Sequence, residues 1–166
     1  AQSDPFFMMG GTQDNGIPGR TGVDTWFPST LIADGMVTHI TPDDADEIYS
    51  EWQYGRHVKS TNGGQTWFNI QNGIQGLGPF VTPVDQDPRD SDHLYTSANS
   101  GLYRTTNGGS LWVQVGGSEH AATWISISPV DGDVIWTLRQ TATRCSTNDG
   151  VSWQEAVPFA FPVGAI

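Results

Sequence analysis

Apolar and polar residues alternate along this chain in short runs broken by turn-forming clusters. "MVTHITPDD" (Met36 to Asp44) reads as a strand that stops at a Pro-Asp turn. "EIYSEWQYG" (Glu47 to Gly55), "RHVKST" and "TWFNI" follow it as three more strands. The same order returns as "PFVTPVDQDP", "HLYTSAN", "GLYRTT" and "LWVQV", and again as "TWISISPVDG", "DVIWTLR", "TRCST" and "SWQEAV". Period-two alternation, β-branched enrichment and regularly spaced turn signals predict antiparallel strands, and no segment carries a sustained helical period. The chain is expected to be all-β.

A near-identical nonapeptide closes each unit: "KSTNGGQTW", "RTTNGGSLW" and "CSTNDGVSW". With Trp26 they place tryptophans at 26, 67, 112 and 153, separated by 41, 45 and 41 residues. That period is the length of a four-stranded propeller blade. It predicts a β-propeller region over 1–166, with blades at about 1–30, 31–75, 76–117 and 118–157 and a possible closing strand at 158–166. Within each box a short amide at the third position suits a tight turn held by its own side chain, a glycine at the fifth allows positive φ, and an indole fills the space between neighbouring sheets. Ser60, Asn62, Gly64, Thr66 and Trp67 fill the first box. Thr105, Asn107, Gly109 and Trp112 fill the second, and Ser146, Asn148, Gly150, Ser152 and Trp153 the third. All three tryptophans are expected to be buried at equivalent places.

These boxes resemble the Asp-box, or BNR, repeat of sialidase-like β-propellers, a superfamily that includes sialidases, xyloglucan-cleaving glycoside hydrolases, sortilin-type receptors and photosystem assembly factors. The resemblance runs from about Gly10 to Val157. The chain departs from the pattern in carrying Asn where Asp is usual, in Leu111 replacing a hydroxyl residue, and in the degenerate first unit "GRTGVDTW". "GGTQDNG" (Gly10 to Gly16) followed by "ADGMVTHITPDD" is similar to large secreted BNR-repeat exoproteins labelled glycosyl hydrolases, whose chains are several times longer. The resemblance implies an extracellular or cell-surface location, and boxes that sit away from the substrate face.

Charge narrows the partners. The chain has 18 Asp and Glu against 7 Lys and Arg, for a net charge of −11. Nucleic-acid binders need a basic footprint, and an anionic membrane surface attracts basic segments, so both partners are disfavoured. No apolar run approaches the roughly 20 residues of a spanning helix. Cys145 is the only cysteine.

Candidate chemistry is sparse. Sialidases need an arginine cluster, whereas Arg56, Arg104 and Arg144 are expected at equivalent third-strand positions, as repeat residues. A glycoside hydrolase needs two carboxylates flanking the scissile bond, about 5–10 Å apart. Asp14 and Asp34, each beside glycines, are the best-placed pair, although both also suit turns. The acidic runs Pro42 to Glu47 and Asp85 to Asp92 bring together the hard oxygens that calcium requires, yet they fall in matching loops without EF-hand spacing. No cofactor is expected, and calcium is the one metal to consider. His39, His57, His93 and His120 are scattered without metal-ligand spacing. Trp52, Tyr54, Trp124 and Trp136 are candidates for stacking on sugar rings.

Three functions remain open: a scaffold that binds a glycan or protein without catalysing by itself, a glycoside hydrolase fragment, and a subunit assembling through open propeller ends. The third rests on mismatched ends. "DPFFMMGGTQDNG" enters as a second strand, and "VPFAFPVGAI" (Val157 to Ile166) resembles the "GPFVTPV" that opens the third unit. A homo-oligomer completing the ring is therefore expected.

Overall fold

The computed structural model describes residues 4–22, 25–28, 30, 33–140 and 142–156. Four antiparallel sheets follow one another along the chain, each a meander in which sequence neighbours pair. Blade 1 has three strands among the described residues: β1 (Met8–Met9), β2 (Gly19–Thr21) and β3 (Thr25–Phe27). Blade 2 comprises β4 (Gly35–Ile40), β5 (Glu47–Trp52), β6 (Arg56–Thr61) and β7 (Phe68–Asn69). Blade 3 comprises β8 (Val84–Gln86), β9 (Leu94–Ala98), β10 (Gly101–Thr105) and β11 (Val113–Gly116). Blade 4 comprises β12 (Trp124–Ile127), β13 (Ile135–Arg139), β14 (Ala142–Ser146) and β15 (Gln154–Glu155). A 3₁₀ turn at Ser118–His120 is the one helical element among the described residues. The expected closing strand, 158–166, lies outside them.

Blades meet face to face through the alternate residues of their middle strands, because successive side chains of a strand point to opposite faces. Leu94 and Ala98 turn back to join Tyr49, Tyr103 and Trp112 in a cluster between blades 2 and 3. Tyr95 turns forward to join Leu102, Ala122, Ile125, Ile127 and Ile135 between blades 3 and 4. The first strands tie neighbouring blades together: the His39 ring meets the Val84 carbonyl at 3.1 Å, and Asp85 accepts from the Ile127 N–H at 2.7 Å.

The boxes fold as their residues dictate. The Ser60 hydroxyl donates to Asn62 Oδ1 at 3.0 Å and accepts from the Gly64 N–H at 2.9 Å. Asn62 Oδ1 also accepts from the Thr66 N–H at 2.9 Å, and its amide donates to the Thr66 hydroxyl at 2.9 Å. Ser146, Asn148, Gly150 and Ser152 repeat all four bonds, at 2.9–3.0 Å. Thr105, Asn107 and Gly109 keep the first three, but Leu111 offers only its N–H, so the amide-to-hydroxyl bond is lost. The fifth position lies at φ +82°, +82° and +78° in Gly64, Gly109 and Gly150, where a Cβ is strained.

The tryptophans are less uniform than expected. Trp112 is buried and its indole donates to the Ile70 carbonyl of blade 2 at 2.6 Å. Trp153 is half-buried and donates in the same way to Val115 of blade 3 at 3.1 Å. Trp67 is half-buried too, and its indole nitrogen finds no acceptor among the described residues. The carbonyl equivalent to Ile70 and Val115 belongs to Ser29, which is not described. Trp26 does not continue the series: it is 58 % exposed, on a hairpin where Thr21 pairs Thr25 and leaves no room for a box.

A polar clamp at the box end of the sheets locks the two inner junctions. Between blades 2 and 3 the Lys59 ammonium donates to the Tyr49 hydroxyl at 2.7 Å. It also pairs with Glu47 at 2.9 Å and with Asp92 of the next blade at 3.7 Å. Between blades 3 and 4 Tyr95 donates to Asp149 at 2.6 Å, and Arg104 pairs with the same carboxylate. Burial and these carboxylates push both phenols above their ordinary range. Asp149 takes the box position held elsewhere by Gly63 and Gly108, and it adopts φ +56° to do so. The shared register corrects the arginine alignment. Lys59 and Arg104 each precede the first box residue, Arg56 lies four residues before it and Arg144 two, so the three arginines are not equivalent.

Candidate functional site

The end of blade 2 opposite its box gathers most of the candidate side chains. Trp52 closes β5 and Arg56 opens β6, with Gln53, Tyr54 and Gly55 as the turn between them. Tyr54 adopts φ +68° and Gly55 +73°. A bulky side chain rarely enters that region, and such outliers persist where surrounding structure holds them. Here the hold is explicit. The Tyr54 N–H donates to the Phe80 carbonyl at 3.1 Å, and the Gly78 N–H donates to the Tyr54 carbonyl at 3.0 Å. The Tyr54 and Phe80 rings meet edge to face with centroids 5.5 Å apart, and both stay exposed, at 45 % and 44 %. Leu77 and Val81, exposed beside them in sequence, extend the apolar surface of the linker.

Asp14 and Asp34 reach the same end. The Asp14 N–H donates to Asp34 Oδ1 at 2.9 Å, and Gly35, the next residue, is the Cα partner of Trp52. Backbone crossing fixes this corner: the Gly16 N–H donates to the Ala33 carbonyl at 2.8 Å and the Gly35 N–H to the Thr12 carbonyl at 3.1 Å. A Cβ on Gly35 would stand 2.0 Å from the Gly16 carbonyl oxygen, and one on Gly11 2.0 Å from that of Met36. The glycines around the two aspartates thus serve the approach of blade 1 to blade 2. Asp34 spends one oxygen holding the "TQDNG" loop, through the Asp14 N–H.

Trp124 and Trp136 are elsewhere, so the four aromatic candidates do not form one surface. They lie on blade 4, 51 % and 40 % exposed. Trp136 pairs with Cys145 as Tyr95 pairs with Arg104 and Tyr49 with Lys59. These residues therefore occupy the face that blades 2 and 3 cover with the next blade. Burial raises the Cys145 thiol above its ordinary value.

The acidic loops are self-satisfied turns. Asp44, Asp87, Asp90 and Asp131 each accept from the N–H two residues on, at 2.9–3.2 Å. Among the described residues no group of three His, Cys, Asp or Glu side chains is placed to hold a metal ion.

Glu51 was not among the candidates. It is fully buried, its Oε1 accepting from the Thr82 N–H at 3.0 Å and its Oε2 without a partner. Burial raises its carboxyl to about 8. His57 is its Cα partner on β6. Burial against Trp112 lowers the imidazole to about 4. The Thr96 hydroxyl donates to the Pro83 carbonyl, so His57 Nε2 carries the proton and donates to that hydroxyl at 3.0 Å. In blade 3 Ser97 holds the place of Glu51 and accepts from the Ala122 N–H at 2.8 Å. Glu51 thus anchors the linker between blades through the Thr82 N–H. Sequence offers one signal for it: a glutamate at an apolar-facing position late in the second strand.

No protein-family model matches the sequence, and no curated protein matches it. Solved structures do match by shape. An ancestral GH74 enzyme superposes with a TM-score of 0.76 at 16 % identity, over 98 % of this chain and 23 % of its own. The GH74 xyloglucanase of Xanthomonas campestris superposes with a TM-score of 0.70 at 19 % identity, over 96 % of this chain and 29 % of its own. YCF48 from Cyanidioschyzon merolae superposes with a TM-score of 0.56 at 17 % identity, over 93 % of this chain and 53 % of its own. The chain spans about a quarter of the length of the two GH74 structures, and at these identities the likeness is one of fold: four consecutive antiparallel sheets matching part of a β-propeller.

Proposed function

We propose that this chain is a glycan-binding section of a β-propeller, non-catalytic by itself, with the Tyr54–Phe80 corner as its sugar platform. The observation that carries the reading is Tyr54. An aromatic residue is held at φ +68° by two backbone hydrogen bonds, with its ring exposed against Phe80. Exposed rings offer faces on which the C–H surface of a sugar packs. Asp14, Asn15 and Asp34 supply polar atoms for hydroxyl groups at the adjoining corner. The similarity to GH74 enzymes, a xyloglucanase among them, favours a neutral plant-type β-glucan as ligand and a location outside the cell. Hydrolysis would require two carboxylates flanking the scissile bond of a bound chain.

Affinity electrophoresis in gels containing xyloglucan, mixed-linkage glucan or pectin tests this reading. Retardation by a neutral glucan is expected, weakened by Tyr54→Ala and Phe80→Ala and unchanged by Trp124→Ala. Absence of retardation in every gel, or full retardation of Tyr54→Ala, would refute it. Release of reducing sugar that is abolished by Asp14→Asn or Asp34→Asn would favour the hydrolase instead.

A second reading, assembly between copies, is favoured by Trp124 and Trp136 of blade 4, which are exposed on the face that blades 2 and 3 cover with the next blade. Light scattering decides it: Trp136→Lys should lower the mass of any assembly, and a mass that stays unchanged argues against it.

A further inference from the structure

The junction between blades 1 and 2 keeps the frame of the polar clamp but has lost its cation. At the next junction the Gly108 N–H donates to the Asp92 carbonyl at 3.0 Å, and at the one after that the Asp149 N–H donates to the Asp133 carbonyl at 3.0 Å. Gly63 and Asp46 repeat this bond at 3.0 Å, so Asp46 stands where Asp92 does. A Cβ on Gly108 would meet Asp92 Oδ1, Lys59 Nζ and the Tyr49 hydroxyl within 2.8 Å. A Cβ on Gly63 would meet Asp46 Oδ1, at 3.1 Å, and no other atom of the described residues within 4 Å.

The missing partners can be named from register. Lys59 pairs with Phe68 and Arg104 with Val113, each the residue after a tryptophan; on blade 1 that residue is Phe27, and its partner is Gly19. Gly19 therefore replaces the cation. Met9, the Cα partner of Gly19, replaces the tyrosine. The Phe27 ring lies over Gly19, where a Cβ would stand 2.1 Å from its tip. Phe27 stacks on Phe7 with centroids 6.4 Å apart.

What remains is a cavity of about 730 Å³, walled by Phe7, Phe27 and Pro28 on one side and by Asp46, Gly63 and Gly64 on the other. Among the described residues no Lys, Arg or His pairs with Asp46. We infer that this cavity is a binding site for an organic cation, an alkylammonium or alkylguanidinium group, which supplies the positive charge that Lys59 and Arg104 supply at the other two junctions. The apolar stem of such a group packs on the phenylalanines and its head meets Asp46. A cation beside an aromatic face gains from the ring quadrupole, as Lys59 does 4.7 Å from the Tyr49 ring centre. The net charge of −11 draws cations toward the protein as a whole.

Titration of ¹⁵N-labelled protein with n-butylguanidinium, followed by amide shifts, tests the inference. Saturable shifts are expected at Gly63 and Gly64 and not at Gly108 and Gly109, where Lys59 already fills the place. The neutral isostere n-butylurea, and Asp46→Asn protein titrated with n-butylguanidinium, should each bind about tenfold more weakly. The blocked peptide acetyl-Gly-Arg-Gly-amide separates the sources. Tighter binding than n-butylguanidinium identifies a basic side chain of a peptide, and equal or weaker binding a free small cation. Lys59→Met, which vacates the second clamp, should gain shifts at Gly108 and Gly109. Equal response to n-butylurea, indifference to Asp46→Asn, or a folded Lys59→Met protein that gains no shifts would overturn it.

Discussion

Replacing Glu51 by Gln should stabilise the protein at alkaline pH and leave it unchanged in acid. The carboxyl is wholly buried, with one oxygen on the Thr82 N–H and the other without a partner, and burial lifts it from 4.5 to about 8. Between those values the folded chain keeps a proton that the unfolded chain has released, so stability present below pH 4.5 is lost as pH rises toward 8. Each unit is worth about 1.4 kcal/mol, which puts the whole loss on the order of 4–5 kcal/mol while the site stays closed. Glutamine copies the protonated acid, with its carbonyl on Thr82 and its amide in place of the hydroxyl, and it does not titrate. His57 contributes with the opposite sign. Its imidazole falls from 6.5 to about 4 on folding, so its contribution is present above pH 6.5 and is lost as pH falls toward 4. The two slopes cancel between about pH 4.5 and 6.5, giving a plateau in the wild type where Glu51→Gln shows a steady rise. Urea melts read by tryptophan fluorescence from pH 4 to 9 measure both curves. All other carboxylates are common to the two proteins and drop out of the difference. Parallel curves would show that Glu51 ionises without cost in the fold, and the reasoning from its burial would fail.

Trp112→Ala should cost about 3–5 kcal/mol in the same melts, and Trp153→Ala, at a half-buried site, less; a loss under about 1 kcal/mol for Trp112 would contradict its place in the blade 2–3 cluster. Leu111→Thr restores the hydroxyl that Asn62 and Asn148 bond at 2.9 Å in the other boxes, for an expected gain of about 0.5–1 kcal/mol, and any destabilisation argues against that reading. Calorimetric titration with calcium should show no site that Asn62→Ala, Asn107→Ala or Asn148→Ala removes, because those amides are spent within their own turns. Tyr54→Gly relieves a positive φ costing about 1–3 kcal/mol while losing one aromatic contact, so stability should hold within about 1 kcal/mol as glucan retardation disappears. Retardation that survives in a stable Tyr54→Gly protein would remove Tyr54 from the site.

What could be read in the sequence is what local hydrogen bonds determine. Ser60, Asn62, Gly64 and Thr66 satisfy one another within seven residues, so the pattern that names the box also builds it. The strand order followed, since hairpins join neighbours. Strand extent was less legible. "PFVTPV" reads as a strand, yet β8 starts only at Val84, because Phe80 and Thr82 are drawn into the Tyr54 turn and onto Glu51. Of the candidate side chains, Asp14, Asp34, Trp52 and Tyr54 lie at one end of blade 2 and Trp124 and Trp136 lie on blade 4, a division the sequence could not show because it does not say which face of a blade its neighbour covers.

The departures from the repeat collect at the junctions, and there is a physical reason for it. A box bonds to itself, so each copy is held to the same residues by the same turn. A junction is a contract between two different blades, and it stays satisfied if both sides change together. Tyr49, Lys59 and Asp92 meet at one, and Tyr95, Arg104 and Asp149 at the next, where the carboxylate has moved into the box itself and accepts φ +56° to reach the arginine. At the first junction Met9 and Gly19 hold the tyrosine and cation positions, and Phe27 shares a cavity with Asp46, whose charge has no protein partner among the described residues. Trp136 and Cys145 stand in the corresponding places on blade 4. Three blades that spell nearly the same turn thus take part in three junctions of different chemistry, and the variation of the repeat is concentrated there.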